Sequence, residues 1–311
     1  MGKVIKWIVF YSLILCSGCS KHGELSKKEK RSPELNDFTG YYVSDGYEHR
    51  EKGFDWLSIR IDAINDTIAK VSVRSRSDNK RPTCTFDSKA VFLTSSGQLE
   101  TEFEGRRIIF DLDEDTLSVS VPDDDDHMIL YIFSSGGSTL MGDYVKLKEP
   151  VHIDHSGYMK RLVGYSYSFD VQSKDSHLIV SSDGLSDKEK SICRSIKHKV
   201  VDDSSVADLD NDGFPELLIF LTCQTEKHEG DLIAYSVENG KTINEVIYSP
   251  LLVQQKMKHL YHGDDSFAVK NNILHQYIPV SDDNKEWVED IRFKLISNNG
   301  HKQLVVDNVS I

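Results

Sequence analysis

The segment from Val206 to Tyr235 constrains the fold of this chain more than any other stretch of its sequence. Leu217 to Leu221 is a continuous apolar run that is too short for a helix and is bounded by turn-forming residues, so it predicts a strand covered on both faces. A run of acidic residues precedes this strand, and a polar run follows it. We therefore expect the strand to form the core of its domain, with a tight acidic turn at one end and an exposed loop at the other.

The acidic turn has a calcium interpretation and a plain one. Asp208, Asp210, Asp212 and Glu216 match the pattern DxDxDGxxE, in which alternate carboxylates converge on one calcium ion. An EF-hand requires a bidentate glutamate at the twelfth position, which is Ile219 here, so only a shorter calcium loop fits. An acidic turn without an ion is the alternative, because the motif occurs once whereas folds built on such loops repeat it.

The first residues predict export. Lys3 and Lys6 precede an apolar run that is too short to span a membrane and has the form of a secretory signal. The four residues ending at Cys19 resemble the processing site of bacterial lipoproteins, where that cysteine becomes acylated. We expect a signal peptide at 1–18 and a lipidated, flexible tether at 19–36 that anchors the protein to the cell envelope, at the outer membrane. Secretion without lipidation is the alternative.

The net charge bears on the partners. The formal charge is −13, and it becomes −15 if residues 1–18 are removed, because that segment carries two lysines and no acid. Such a charge argues against nucleic acid or an anionic lipid surface as a partner and favours cationic proteins. It is also consistent with solubility alone.

The cysteines predict at most one disulfide. An exported protein folds where disulfides form, and the mature chain holds Cys84, Cys193 and Cys223 besides Cys19. Cys193 and Cys223 lie in one predicted domain and are the candidate pair, which leaves Cys84 free. Their spacing does not suggest a zinc site.

Hydrophobic periodicity predicts two all-β domains. Residues 37–148 alternate with period two, as in Leu57, Ile59 and Ile61, and predict an antiparallel small barrel or sandwich of unknown role. Residues 149–160 are expected to form a linker, and 161–311 a second antiparallel β domain. The N-terminal strands are expected at 38–43, 57–61, 71–76, 89–94, 106–112, 117–121, 128–133 and 142–147.

Five short segments of the second domain carry a family resemblance. In order they are ADLDNDGFPELLIF, GDLIAY, VIYSPL at 246–251, HGDDSFAV and QYIPV at 276–280. In this order and spacing they resemble the periplasmic inhibitors of i-type lysozyme, over about 165–307. The resemblance implies a β-sandwich that forms a homodimer and inhibits lysozyme by inserting a loop into its cleft. It implies that the partner is a lysozyme or another cationic protein that attacks the envelope.

The stretch aligned with the inhibitory loop is more highly charged than the family's small Gly/Ser-rich loop. Glu226 and Glu229 stand where the resemblance leads us to expect serine and tyrosine. Two carboxylates would meet the acidic groups of a lysozyme cleft unless Lys227 or His228 compensates. The candidate loop consists of Gln224, Thr225, Glu226, Lys227, His228, Glu229 and Gly230.

An enzyme is not expected. The sequence contains no GxSxG, HExxH or phosphate-binding loop. His262, Asp264 and Asp265 form a cluster with acid and base character, but a turn beside a strand explains them. No cofactor is expected apart from the calcium just considered. The alternative function is a surface lipoprotein that binds a ligand, glycan or protein with the help of calcium and inhibits nothing.

Overall fold

Strands account for almost all of the regular structure in the computed structural model, which describes residues 31–75, 83–135, 138–187, 191–249, 261–281 and 285–310. The described residues also form a four-residue α-helix, α1 (Leu35–Phe38), and 3-10 helices at Asp45–Lys52 and Asp124–Tyr131. The predicted all-β fold class is confirmed.

Two of the predictions about the N-terminus concern residues outside this description. The signal peptide at 1–18 and the acylated Cys19 lie outside the described residues, as does most of the tether at 19–36. Among the described helices, none is long and apolar enough to cross a membrane.

Eight N-terminal strands form a closed antiparallel barrel, in which strands adjacent in sequence pair and β1 also pairs with β8. The small barrel expected from the period-two pattern is confirmed. Ile59 and Ile61 lie opposite Val73 and Val71 on the next strand, and all four side chains are buried. Closure leaves no unpaired sheet edge. The strands are β1 (Gly40–Val43), β2 (Leu57–Ala63), β3 (Ile68–Ser75), β4 (Thr85–Leu93), β5 (Gln98–Phe103), β6 (Arg106–Asp113), β7 (Thr116–Ser120) and β8 (Gly142–Leu147).

One predicted barrel strand is wrong. Residues 128–133 fall mainly in the 3-10 helix Asp124–Tyr131, and the barrel strand missing from the prediction is β5. The buried residues of this segment include the adjacent Ile129 and Leu130, which suits a helical turn better than an alternating strand. Phe133 follows the helix and packs against Phe86 and Phe103, with ring centroids 4.5 and 5.1 Å away. The helix thus adds apolar residues to the barrel core.

Three four-stranded antiparallel sheets follow the barrel, and together we call them the β-stack. Each is a meander of consecutive strands. The first sheet contains β9 (Tyr158–Gly164), β10 (Tyr167–Lys174), β11 (His177–Asp183) and β12 (Ile192–Ser195). The middle sheet contains β13 (Lys199–Ala207), β14 (Glu216–Cys223), β15 (Gly230–Glu238) and β16 (Thr242–Val246). The third sheet contains β17 (Ser266–Lys270), β18 (Ile273–Ser281), β19 (Glu286–Asn298) and β20 (His301–Ser310).

The middle sheet is covered on both faces. Leu217, Ile219 and Leu221 on β14 belong to a core shared with the first sheet and the barrel. Leu218 and Phe220 belong to a second core, shared with the third sheet. This arrangement confirms that the apolar run at 217–221 is a strand buried on both faces, and it makes β14 the centre of the β-stack.

The segment between the barrel and the β-stack packs on the outer wall of the barrel. Its His155 is buried, with Nε2 3.0 Å from the Ser58 hydroxyl and Nδ1 3.2 Å from the Ser72 hydroxyl. Burial lowers the pKa of His155 to about 4. Strand β9 begins at Tyr158, within the predicted linker, and residues 33–311 form one compact unit. The division into two domains stays a prediction.

Buried charges join the barrel to β9 and β13. Arg74 and Asp87 form a buried bidentate ion pair with distances of 2.9 and 2.7 Å, and Asp87 also accepts the Met159 N–H at 2.6 Å. The fully buried ammonium of Lys160 lies 2.5 Å from Asp203. Such pairs are costly to break because a lone buried charge remains. The first pair lies within the barrel and the second within the β-stack. The Met159–Asp87 hydrogen bond joins the two parts, as does the Lys160 ammonium, which lies 4.9 Å from the centroid of the Phe86 ring.

Candidate functional site

Two charged loops flank β14. The acidic loop, residues 208–216, leads into the strand, and the contact loop, residues 224–229, connects it to β15. Both were candidates from the sequence, the first as a calcium site and the second as an inhibitory loop. The structure places them at opposite ends of β14, whose apolar run is buried on both faces.

The acidic loop binds its own main chain. Both oxygens of the buried Asp208 carboxylate accept hydrogen bonds, from the N–H of Asp212 at 3.1 Å and of Gly213 at 3.0 Å. Asp212 Oδ1 accepts the N–H of Phe214 at 2.8 Å. Short acidic side chains that satisfy nearby N–H groups stabilise tight turns. The loop conformation is therefore supported without an ion.

Three of the four predicted carboxylates cluster, and a lysine lies among the acidic side chains. Oxygens of Asp208, Asp210 and Glu216 lie within 4.8 Å of one another. The Nζ atom of Lys302, from β20, lies 2.9 Å from Asp210, 2.7 Å from Asp212 and 3.3 Å from Glu216. Only 10% of the lysine side chain is exposed. A calcium ion would have to displace this ammonium, so the residues as arranged fit a lysine and not a divalent cation.

Glu216 links the acidic loop to the core. Its carboxylate is fully buried and accepts the Leu209 N–H and the Ser236 hydroxyl, each at 2.8 Å. Burial raises the pKa of Glu216 to about 7, although the hydrogen bonds and Lys302 act to lower it. Burial acts to lower the pKa of Lys302, but the carboxylates of Asp212, Asp210 and Glu216 outweigh it, so the pKa of Lys302 is raised. The group is therefore mainly a structural ion-pair network.

The contact loop is exposed at its tip and bonded at its base. Residues 224–228 are exposed, whereas Gly230 is buried. The Cys223 N–H donates to the Glu229 carbonyl at 2.8 Å, and the Gln224 N–H donates to the His198 carbonyl at 2.8 Å. These bonds close the hairpin below the tip, so that the charged side chains project from the end of the middle sheet.

A second segment, residues 261–265, supports the contact loop. Asp265 is buried and accepts the Gly230 N–H and the Tyr261 hydroxyl, each at 2.7 Å, and it also accepts an N–H of Gln276. Charge-assisted hydrogen bonds of this kind are the stronger ones. Asp265 is therefore the anchor at the base of the loop.

The same segment touches the tip itself. The Asp264 N–H donates to the Lys227 carbonyl at 2.9 Å, and His228 Nδ1 lies 3.2 Å from the Asp264 carboxylate. Gly263 has a φ of +93°, and a Cβ there would lie 1.7 Å from the Lys227 carbonyl oxygen. Glycine is required for this close approach. The interpretation of this segment as a turn beside a strand agrees with the geometry.

The predicted disulfide is not present. Cys193 and Cys223 are both free thiols. Cys193 lies on β12 opposite Ile179 in the first sheet, whereas Cys223 ends β14 opposite Lys199 in the middle sheet. The two cysteines thus belong to different layers. Cys84 is free and buried, and burial raises its pKa to about 11.

Two residues that shape the site carry little signal in the sequence. Lys302 is one of many lysines, and nothing near it in the chain points to the acidic loop. Asp265 stands out only as part of an acidic turn, and its role depends on Gly230, which is distant in sequence. To predict either role from the sequence, one would have to know the strand pairing that brings β17 and β20 to the middle sheet.

No protein-family model matches the chain, and the comparison with curated proteins finds no relative. The geometry of the two loops is thus what supports a function.

Proposed function

We propose that this protein is a non-enzymatic binding protein of the cell envelope, which inhibits a lysozyme or related muramidase by inserting the contact loop into its cleft. One observation carries the proposal: residues 224–228 form an exposed tip on a base that is bonded to Asp265. The resemblance of the C-terminal segments to i-type lysozyme inhibitors supports the choice of target. Acylation of Cys19 would keep the protein at the envelope, where such enzymes act.

The anchored base favours binding because it limits the entropy lost on association. A loop already held in one conformation pays less to become ordered in a complex. The Asp264 N–H donates to the Lys227 carbonyl, and the Asp265 carboxylate accepts the Gly230 N–H. The tip therefore resembles the preformed loops through which rigid inhibitors act.

Charge favours a cationic target. The chain has a net charge of −13, so a basic enzyme would be attracted over a distance that shrinks as salt is added. Glu226, Lys227 and His228 are exposed at the tip. In a cleft that contains carboxylates, Lys227 and His228 are the groups that favour docking, whereas Glu226 opposes it.

The test is inhibition of c-, g- and i-type lysozymes by the purified protein, followed by the variant Lys227→Ser. We expect inhibition of at least one class and a loss of at least about tenfold in affinity for the variant, which is the range of an interface contact worth over 1 kcal/mol. The matched control, Lys241→Ser, removes a basic side chain from another exposed turn and should inhibit normally. Silence against all three classes, or equal effects of both variants, would overturn the proposal.

A second candidate function is a calcium-assisted surface binding module. The clustering of Asp208, Asp210 and Glu216 favours it, and the position of Lys302 opposes it. An ion that binds only the native state raises its stability. A rise in the melting temperature with calcium, reversed by a chelator, would support this function over the first.

A further inference from the structure

A groove of about 610 Å³, which we call the edge groove, opens at the border of the β-stack. Residues from three sheets line it. Arg194 comes from the first sheet and Lys197 from the turn after it, 231–233 and 245–246 come from the middle sheet, 247–248 follow β16, and His301 comes from the third sheet. Lys199 also lines the groove, and its neighbour His198 is bonded to Gln224 of the contact loop.

The floor of the edge groove is a stretch of β15 that β16 does not cover. Pairing between the two strands runs from Glu238 opposite Thr242 to Ala234 opposite Val246, and it stops there. The chain then leaves the middle sheet, because Ile247 is bonded through its N–H and carbonyl to β20, at 3.0 and 2.9 Å. Residues 230–233 therefore extend beyond the end of β16.

The main-chain groups of Leu232 point into this opening. The Val237 N–H donates to the carbonyl of Pro215, which precedes β14, and the Glu229 carbonyl accepts the Cys223 N–H of β14. The main-chain polar groups of the odd-numbered residues of β15 therefore point towards β14. The main-chain N–H and carbonyl groups of successive residues point to opposite edges of a strand. Those of Leu232, an even-numbered residue, consequently face the groove. Neither has a hydrogen-bond partner among the described residues. An uncovered strand edge is a template for another strand.

The charges of the edge groove differ from those of the rest of the chain. Arg194 is paired with Glu245 at 2.5 Å, and Lys199 is paired with Asp231. Lys197 is exposed and makes no ion pair with a described residue, which leaves the groove with one more basic residue than acidic, besides His301. In a protein with a net charge of −13, this local excess favours an acidic ligand.

We propose that the edge groove binds an extended peptide segment of a partner protein, which adds a short strand to β15 at Leu232 and places an acidic side chain beside Lys197. Strand addition supplies affinity through main-chain hydrogen bonds, and side-chain contacts supply the choice of sequence. Ile247 lines the groove and is 48% exposed, so it offers an apolar contact for a neighbouring side chain of the peptide. This site is separate from the contact loop and does not depend on lysozyme binding.

The test measures fluorescence anisotropy of a labelled eight-residue peptide, in which valine and threonine alternate around one glutamate. We expect binding by the full-length protein, weakened about three- to tenfold by Lys197→Ala, as is typical of an exposed charge at the border of an interface. Lys241→Ala removes an exposed lysine outside the groove and should bind normally. A peptide with lysine in place of the glutamate should bind more weakly than the parent.

Two further measurements separate strand addition from charge attraction alone. N-methylation of the peptide main chain beside the glutamate keeps the charge and removes a hydrogen bond, so it should abolish binding. Amide exchange of Leu232 should slow in the complex. Absence of binding, unchanged binding after N-methylation, or unprotected Leu232 in a bound complex would overturn the proposal.

Discussion

The two loops at the ends of β14 are both short and charged, yet their polar groups are used differently. In the acidic loop, Asp208 and Asp212 bind main-chain N–H groups, and Lys302 lies among the remaining carboxylates. In the contact loop, residues 224–228 are exposed and the charges of Glu226 and Lys227 make no ion pair with a described residue. The density of charge therefore does not mark a binding surface. What distinguishes the two loops is whether their charges are already paired inside the fold.

A buried carboxylate holds each loop, but the two carboxylates come from different parts of the chain. Glu216 accepts hydrogen bonds from Leu209 and Ser236 and belongs to the acidic loop itself. Asp265 lies on another segment and bonds Gly230, below the tip of the contact loop. In the acidic loop the charged side chains are used in these contacts, whereas in the contact loop the Lys227 main chain is bonded and the side chains of Glu226 and Lys227 stay available to a partner.

The largest expected effect is that of Lys302→Ala on the acidic loop. Removal of the ammonium leaves Asp210, Asp212 and Glu216 without their cation, and the free energy of unfolding should fall by about 3 kcal/mol. Urea unfolding measures this loss. Calcium at millimolar concentration should restore part of it, because three carboxylates then surround a vacated cation position, whereas the wild type should not respond.

The control for this prediction is Lys294→Ala, which breaks the exposed pair between Lys294 and Asp307. Exposed pairs contribute roughly 0 to 1 kcal/mol, so a small change is expected. Equal losses for the two variants, or stabilisation of the wild type by calcium, would contradict the structural role of Lys302.

The next effect is a pH dependence that originates in Glu216. Its pKa is raised from 4.5 to about 7 in the folded protein, so the native state retains a proton that the unfolded chain has released between these values. Stability should therefore fall as pH rises from 4.5 to 7, by on the order of 2 kcal/mol. Glu216→Gln should abolish this part of the dependence, as measured by urea unfolding at a series of pH values.

The wild type must be compared with Glu216→Gln because His155 also titrates in this pH range. Its pKa is lowered from 6.5 to about 4, so its contribution to stability rises with pH between these values, opposite in sign to that of Glu216. Both proteins contain His155, and the difference between their curves isolates Glu216. Parallel curves would show that Glu216 does not titrate in this range.

A smaller effect is expected from Asp265→Asn at the base of the contact loop. The variant keeps the size of the side chain but loses the charge that strengthens the bond to the Gly230 N–H. Amide exchange of Gly230 should become about tenfold faster, equivalent to a loss of about 1.4 kcal/mol in local stability. Asp264→Asn, on an exposed side chain of the same turn, should leave that exchange unchanged. The reverse order would place the anchor at Asp264.

Much of the fold follows from local pattern, because strands of this protein alternate where one face is buried. The barrel and the doubly covered strand β14 are both visible in this way. The failures occur where packing overrides the pattern, as in the strand predicted at 128–133, where Ile129 and Leu130 are both buried in a 3-10 helix that packs on the barrel core. Polar residues such as Ser58 and Ser72 are buried because the segment containing His155 covers them.

The candidate site likewise has one part that the sequence predicts and another that depends on long-range packing. Convergence of Asp208, Asp210 and Glu216 is a consequence of residue spacing within one turn, and the sequence predicts it. The lysine that pairs with Asp210 and Glu216 comes from β20, and the anchor of the contact loop comes from the turn before β17. Such contacts depend on how sheets stack, which no short segment specifies. For this reason the sequence leaves calcium open beside a plain acidic turn, whereas the structure has a lysine there.

The smallest expected effect on stability is that of Glu226→Ser/Lys227→Ser in the contact loop. Both side chains are exposed, so the free energy of unfolding should change by less than about 0.5 kcal/mol. Asp210→Ser/Lys302→Ser removes the same pair of charges from the other end of β14 and should cost more than about 2 kcal/mol, since Asp212 and Glu216 then lose their cation. Urea unfolding of both double variants compares the two loops directly. If the contact-loop variant lost more than about 1 kcal/mol, its charges would be structural, and weaker inhibition by Lys227→Ser would no longer identify a residue that touches the enzyme.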